Sequence, residues 1–172
     1  MRLKALPTFG LLLAVAAPAA AMSLTSSDLT DRGQIAVGQI YPRCGGGNIS
    51  PELSWSGAPP RARSAVLTMI DQDASPSKWS HWLVVDLPRE ARLSRGATPP
   101  APARTMKSDF GDAAYGGPCP PKGTGAHHYA FSIWFMPSAH TRFAEGASAT
   151  DVERQLGRTA LARVSLTATA QR

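Results

Sequence analysis

Three short polar clusters in the sequence carry side chains that could do chemistry together. Each cluster follows or opens an apolar run, and their members are Asp71 and Asp73, then Trp79 and His81, then His127 and Tyr129. Histidines beside carboxylates can be held protonated, or neutral in one fixed tautomer. A protonated pair, together with backbone N–H groups from a nearby Gly-Pro loop, would suit a phosphate or another anion. The aromatic side chains could add an apolar or cation–π wall.

The same residues are components of general acid–base chemistry, so a His/Asp-dependent hydrolase is one alternative. No Ser or Cys nucleophile is evident beside His127 except Cys119, and a disulfide would make that thiol unreactive. A metal-dependent version would need three ligands and an open position, and no H-E-x-x-H motif supports it. Structural interpretations also exist: Asp71 and Asp73 could form Asx-turns, and His81 could be a hydrogen-bonded core residue.

These clusters need strands to bring them together, and the apolar pattern predicts such strands. Residues 64–70 and 81–87 are nearly continuous apolar runs, typical of strands that are buried on both faces. In residues 129–135, every second residue is large and apolar or aromatic (Tyr129, Phe131, Ile133 and Phe135), which predicts a strand with one packed face. Polar residues that flank adjacent central strands tend to meet at one end of a β-sandwich, where sites built from loops lie.

The rest of the chain predicts turns and one helix. The sequence contains 15 glycines and 15 prolines, and residues 93–123 are best interpreted as long irregular loops. Residues 150–162 predict a helix with a capping box at Thr150 and Glu153, and residues 164–168 predict a last strand. The sequence therefore predicts a mainly β fold, an antiparallel β-sandwich with Greek-key-like connections and one C-terminal helix.

The N-terminal segment has the pattern of a secretory signal peptide. A basic start is followed by an apolar run at 11–17 and by small residues up to Ala21. We expect residues 1–21 to be cleaved, leaving one domain at 22–172 in the periplasm or outside the cell. A short membrane anchor or an apolar strand is the alternative, but the apolar run is too short to span a bilayer. A lipoprotein anchor is not expected, because no cysteine lies near the cleavage point.

The charge pattern excludes some partners and favours others. The full chain has 18 basic and 12 acidic residues, and cleavage would remove Arg2 and Lys4, leaving 16 against 12. The basic residues are scattered and form no helix face or run with interleaved aromatics, so nucleic-acid binding is not expected. The net charge favours anionic partners. No Gly-rich loop follows a strand and opens a helix, so we expect no nucleotide and no other cofactor.

The sequence has two cysteines, Cys44 and Cys119, both in Gly-rich turns. Export would place them in an oxidising compartment, where a disulfide between them is the natural hypothesis. Two free thiols are the alternative. A two-cysteine metal site is not expected, because neither cysteine has a second ligand at C-x-x-C spacing.

Five motifs in this order resemble those of the phosphatidylethanolamine-binding protein (PEBP) family, with the bacterial Raf-kinase-inhibitor-like proteins as the most similar branch. They lie at 48–55 (NISPELSW), 71–74 (DQDA), 79–82 (WSHW), 115–121 (YGGPCPP) and 125–129 (GAHHY). The resemblance implies a β-sandwich of two antiparallel sheets with a small pocket at one end. In the family, that pocket accepts phosphate-like groups, including phosphoethanolamine.

The resemblance also assigns residues to the pocket. The implied ligand-binding residues are Asp71, Asp73, Trp79, His81, Pro120, His127 and Tyr129. His128 would point away from the pocket, as alternation along a strand also predicts. Gln72 and Ser75 depart from the family pattern because they replace two prolines, which leaves this loop less rigid and restores a backbone donor. Nothing in the sequence supports a kinase partner.

Taken together, the sequence predicts an exported small binding protein that holds a phosphate-like or other anionic head group, and not an enzyme. A protein-interaction or inhibitor protein of the exported compartment is the first alternative, with the Pro-rich segment 96–103 as a candidate contact surface. The hydrolase is the second. No integral membrane segment is expected after signal cleavage.

Overall fold

A computed structural model of the protein describes residues 21–172, and these residues form two antiparallel β-sheets and one helix. The strands are β1 (Ser23–Thr25), β2 (Leu53–Ser56), β3 (Ser64–Asp71), β4 (Trp79–Leu87), β5 (Ala91–Leu93), β6 (Arg104–Met106), β7 (His127–Met136) and β8 (Ala162–Ala170), and the helix α1 is Ala149–Thr159. The predicted signal peptide lies outside the described residues apart from its last position. The mainly β architecture confirms the predicted fold.

Strands β3, β4 and β7 form the centre of the larger sheet, which has the order β6-β4-β3-β7-β8. Every residue of β3 is buried, as its continuous apolar run predicts for a strand covered on both faces. The smaller sheet has the order β1-β2-β5. Neighbouring strands of the larger sheet run antiparallel, so the end of β3 lies beside the beginnings of β4 and β7.

Two hydrophobic clusters cover the two faces of the central strands. The larger cluster lies between the sheets and includes Trp55, Phe131 and Phe135. The smaller cluster lies on the other face, where Val152 and Leu156 of α1 pack with Trp134. Alternation along β7 explains this division, because odd-numbered residues face the second sheet and Trp134 faces the helix.

The helix differs from the sequence prediction at both ends. It begins at Ala149, and the Ser148 side chain caps it by accepting from the Asp151 amide at 3.2 Å. The predicted capping box at Thr150 and Glu153 is wrong, because Glu153 instead accepts from the Lys78 ammonium at 2.6 Å. Both Ser148-x-x-Asp151 and Thr150-x-x-Glu153 match the same sequence pattern, so the pattern does not choose between them.

The strands also differ from the prediction in several places. β8 begins at Ala162, where the prediction continued the helix, and β4 begins at Trp79, two residues before the predicted strand. A short strand, β6, lies inside the segment predicted to be irregular. Each difference reflects pairing with a neighbouring strand, which a single stretch of sequence does not reveal. No helix of the described residues is long and apolar enough to cross a membrane.

Candidate functional site

A cavity of about 630 Å³ opens where the end of β3 meets the beginnings of β4 and β7. All seven residues predicted for the site line it, namely Asp71, Asp73, Trp79, His81, Pro120, His127 and Tyr129. The antiparallel order of the three strands accounts for this convergence.

A hydrogen-bonded chain of three side chains leads from the buried end of β3 to the cavity rim. Asp71 Oδ2 lies 2.7 Å from His127 Nδ1, and His127 Nε2 lies 2.9 Å from Thr124 Oγ1. The Asp71 carboxylate also accepts from the Asp73 amide at 2.9 Å through Oδ1, which closes a turn directly after β3. Asp71 therefore both closes the Asx-turn and lines the cavity.

His81 faces the cavity in its neutral form. Its Nδ1 lies 2.8 Å from the carbonyl oxygen of Gly116, which can only accept, so Nδ1 carries the proton. Burial lowers the pKa of His81 and outweighs the opposing effects of the Gly116 carbonyl and the Asp71 charge. With Nδ1 protonated and the ring neutral, Nε2 is left as a hydrogen-bond acceptor. For His81, the lowered pKa and the Gly116 hydrogen bond favour the second of the two predicted states, a neutral ring in one fixed tautomer.

Tyr129 places an unpaired hydroxyl in the same cavity. The residue is fully buried, and its OH has no hydrogen-bond partner among the described residues. Its ring packs edge-on against the His81 ring, with centroids 5.1 Å apart. Burial raises the pKa of the phenol far above its usual value, and the charge of the nearby Asp71 carboxylate and weak hydrogen bonding toward it, outside ordinary hydrogen-bond geometry, raise it further. The hydroxyl therefore keeps its proton, and a buried donor without a partner is ready for a ligand oxygen.

A second carboxylate–histidine pair lies at the cavity rim. Asp73 Oδ2 accepts from the His128 amide at 2.6 Å and lies 2.7 Å from His128 Nδ1. Burial acts to raise the pKa of Asp73, but the hydrogen bonds and the charge of His128 outweigh it and hold that pKa below its usual value. Asp73 lines the cavity and His128 does not, in agreement with the predicted outward direction of His128.

An aromatic wall closes one side of the cavity. The Phe110 ring lies 4.8 Å from the Tyr41 ring and 5.9 Å from the Trp79 ring, measured between centroids. Trp79 remains 40% exposed, so it forms the outer edge of this wall. An apolar surface of this kind suits the organic part of a ligand.

A disulfide between Cys44 and Cys119 holds part of the cavity rim. This bond confirms the predicted pairing and joins two loops whose residues Tyr41, Arg43 and Pro120 line the cavity. A hydrogen bond of 3.0 Å from the Tyr41 amide to the Pro118 carbonyl supports the same junction. The side chain of Arg172 reaches it as well, with Nη1 2.8 Å from Cys44 Sγ.

The Pro-rich segment 96–103 belongs to a different place on the molecule. Gly96 and Pro99 line a smaller cavity of about 340 Å³ together with Trp82 and Tyr115, and it shares no lining residue with the first cavity. Within residues 21–172, no group of three or more His, Cys, Asp or Glu side chains is arranged to hold a metal ion.

Comparison with known proteins gives a match to one family over most of the chain. The model of the family described as phosphatidylethanolamine-binding protein matches residues 25–171. The chain belongs to the phosphatidylethanolamine-binding protein family. This confirms the family resemblance seen in the sequence.

One relative, compared in sequence and in structure, shows the extent of the similarity. The UPF0098 protein YbcL of Escherichia coli is 38% identical over 130 residues, which cover 70% of this chain and 71% of YbcL. The crystal structure of YbcL, described as a member of the mammalian PEBP family, superimposes with a TM-score of 0.81 and 32% identity over 89% of this chain and 99% of that one.

A second relative matches over a similar length. LppC of Mycobacterium tuberculosis, named as a candidate lipoprotein, is 33% identical over 127 residues, which cover 73% of this chain and 62% of LppC. Neither the PEBP family description nor the names of these relatives specify a reaction.

Sequence reasoning missed several cavity residues of this PEBP-family chain, and four with side chains that could contact a ligand are Tyr41, Arg43, Phe110 and Thr124. All four lie in loops whose path no periodic pattern reveals. Two signals could have found half of them. Arg43 precedes Cys44, and the predicted disulfide would bring it to the Pro120 loop. Thr124 stands three residues before His127, within reach of its ring.

Proposed function

We propose that the protein is an exported binding protein that holds a small phosphate-like or other anionic head group in the 630 Å³ cavity. The observation that supports it is the set of groups that line this one cavity: the imidazoles of His81 and His127, the Tyr129 hydroxyl, and the guanidinium of Arg43. Arg43 forms no ion pair with any described residue, so its charge is free to meet an anion.

The two histidines would hold such a group in different ways. Neutral His81 offers an acceptor at Nε2, which suits a protonated oxygen of hydrogen phosphate. His127 is held by Asp71 and, when protonated, would offset the carboxylate charge that otherwise repels an anion. The Tyr129 hydroxyl would donate to a further oxygen. A monoester with one P–OH group therefore fits the cavity better than a fully ionised anion.

The remaining lining would hold the rest of the ligand. The aromatic wall of Tyr41, Trp79 and Phe110 suits a short organic group. Asp73 at the rim would attract a cationic end such as an ammonium, and Trp79 beside it would add a cation–π contact. Phosphoethanolamine combines these features, which makes it the natural probe.

The exported location is part of the proposal. The predicted signal peptide at 1–21 supports it, and so does the Cys44–Cys119 disulfide, because disulfides persist in oxidising compartments. The similarity to LppC points in the same direction.

Calorimetric titration of residues 22–172 with phosphate, phosphoethanolamine and neutral glycerol tests the binding proposal. We expect saturable binding of the two phosphates only, and a loss of about tenfold or more in affinity for Arg43→Gln and His127→Ala. Arg61→Gln, at an exposed arginine outside the cavity, is the matched control and should bind as the parent does.

Absence of phosphate binding by folded parent protein would overturn the proposal and leave a protein partner as the leading role. Equal losses in Arg43→Gln and Arg61→Gln would show a general charge effect instead of a site.

A further inference from the structure

The hydrogen-bonded chain from Asp71 to His127 to Thr124 has a feature that anion binding does not need. It leads from two buried groups to an exposed hydroxyl: the side chains of Asp71 and His127 are 6% and 7% exposed, whereas Thr124 is an exposed residue of the cavity rim. A buried carboxylate that orients an imidazole, which in turn contacts an accessible hydroxyl, is the arrangement that activates serine nucleophiles, and threonine presents the same hydroxyl group.

We propose that Thr124 is the nucleophile of an esterase activity, with His127 as the general base, Asp71 as the positioning residue and Tyr129 as the donor to the oxyanion. The sequence-based hydrolase alternative lacked such a nucleophile, and the fold supplies it from the loop between Pro121 and His127. This inference uses the same cavity as the proposed anion site but does not require that an anion binds there.

The Thr124 hydroxyl is placed to change partners. Its Oγ1 lies 2.9 Å from the Pro121 carbonyl oxygen and 2.9 Å from His127 Nε2. The hydroxyl has one hydrogen, so rotation from the carbonyl to the imidazole turns Oγ1 into a hydroxyl that His127 can deprotonate. Gly123 and Gly125 flank it with φ values of +81° and +85°, a backbone that suits glycine and leaves Thr124 as the one side chain at this point of the loop.

Tyr129 supplies the second element that acyl transfer needs. It lies two residues after His127 on the same face of β7, and both side chains line the cavity. Its hydroxyl is buried and keeps its proton, and although it lies near the Asp71 carboxylate it makes no hydrogen bond of ordinary geometry among residues 21–172. A fixed donor without a partner in a buried site stabilises an oxygen that gains negative charge during reaction.

The reaction balances with water as the only co-reactant. Thr124 Oγ1 attacks the ester carbonyl carbon while His127 Nε2 takes the hydroxyl proton, and the carbonyl oxygen becomes an oxyanion beside the Tyr129 hydroxyl. Collapse breaks the bond to the alcohol oxygen, which leaves with the proton from His127. Water then attacks the acyl-threonine, again losing a proton to His127, and the products are a carboxylic acid and the restored threonine.

The walls of the cavity indicate the class of ester. Tyr41, Trp79 and Phe110 form a continuous apolar surface on one side, and Pro120 and Pro121 extend it beside Thr124. Small carboxylic esters with an apolar acyl group fit this lining.

Hydrolysis of p-nitrophenyl acetate and butyrate by residues 22–172 tests the proposal. Thr124→Val keeps the shape of the side chain but lacks the hydroxyl, and we expect it to lose about a hundredfold or more in kcat/KM, while Thr124→Ser stays active. Tyr129→Phe should lose about a hundredfold in kcat with little change in KM. Mass spectrometry of the quenched parent protein should find the acetyl group on Thr124.

Two variants outside the proposed machinery control for reaction at the surface. Thr98→Val removes an exposed threonine that lines the other cavity, and His128→Ala removes the exposed neighbour of His127. Both should match the parent. Full activity of folded Thr124→Val, or acetyl groups found only on lysines or histidines, would overturn the proposal. Phosphate titration of Thr124→Val separates the two ideas: binding kept with hydrolysis absent would leave the anion site standing alone.

Discussion

Two aspartate–histidine pairs stand side by side in this protein, and only their surroundings differ. Asp71 pairs with His127 and Asp73 pairs with His128, each with 2.7 Å between Oδ2 and Nδ1. The side chains of the first pair are 7% and 6% exposed, and those of the second are 54% and 43% exposed. Strand alternation separates the two histidines, because successive residues of β7 point to opposite faces.

The comparison shows that bond length alone says little about what a pair does. Water screens the outer pair and competes for its hydrogen bonds, so it contributes little to stability. The inner pair has no such competition, and removing one member leaves a buried polar group without its partner. Burial also gives the inner histidine a fixed direction toward Thr124 and the cavity.

Alanine substitution of the two carboxylates gives the largest expected difference. Asp71→Ala removes the partner of buried His127 and the acceptor of the Asp73 amide, so we expect a loss of about 3–5 kcal/mol in the free energy of unfolding. Asp73→Ala should cost less than about 1 kcal/mol, because its partner is exposed. Urea denaturation measures both, and similar losses would contradict the distinction drawn between the pairs.

The disulfide holds the loops that lie beside the inner pair, so its removal tests how far the cavity depends on those loops. Replacing both cysteines, Cys44→Ser with Cys119→Ser, opens a loop of 75 residues and should cost about 2–4 kcal/mol. Where the variant remains folded, it should also bind phosphoethanolamine more weakly, because the rim carrying Arg43 and Pro120 is released. Calorimetry at a temperature well below the unfolding midpoint measures this effect. Unchanged affinity would show that the rim does not need the bond.

His81 shows how burial changes the pKa of a histidine that is hydrogen-bonded to a backbone carbonyl instead of an aspartate. The lowered pKa of His81 means that, as pH falls below its usual value of 6.5, the unfolded chain binds a proton that the folded chain does not. Stability is therefore present above that pH and declines below it, by at most about 1.4 kcal/mol per pH unit. His81→Gln should flatten this part of the stability curve. Parallel curves for parent and variant would contradict the assignment of a neutral His81.

The smallest expected effect is the acid dependence of the outer pair. The pKa of Asp73 is lowered in the folded protein, so its contribution is present above the unfolded pKa near 3.8 and is lost as pH falls through the folded pKa. The difference between parent and Asp73→Asn should thus shrink toward zero below about pH 4, and it should stay within about 1 kcal/mol throughout because the pair is exposed. Denaturation curves at several acidic pH values measure it, and a difference that grows on acidification would contradict it.

The sequence was sufficient for the parts of the molecule that repeat or alternate. Continuous apolar character identified β3. Alternation predicted that at most one of His127 and His128 faces the pocket, and the family resemblance assigned that position to His127. The strand-end position of Asp71 and His127 was enough to predict that they meet. These features depend on local periodicity, which a single sequence contains.

Loops and protonation states were beyond the reach of that reasoning. Arg43 and Thr124 enter the cavity from Gly-rich loops, where the chain path depends on contacts with distant segments such as the Tyr41–Pro118 hydrogen bond. The neutral state of His81 depends on its burial, which exists only after the sheets pack. The predicted helix start was wrong for a different reason, because two overlapping segments match the same capping pattern.

The long sequence separation between β3 and β7 affects how the protein folds. Asp71 and His127 are 56 positions apart, so the cavity exists only after β3 and β7 have found each other across the intervening chain. Pairings of such long range form slowly. We therefore expect refolding to restore ligand binding in the same kinetic phase as the buried tryptophan fluorescence, with no earlier species able to bind. A molecule that occupies this cavity would act as a reporter of completed folding and would select the finished protein from partly folded chains.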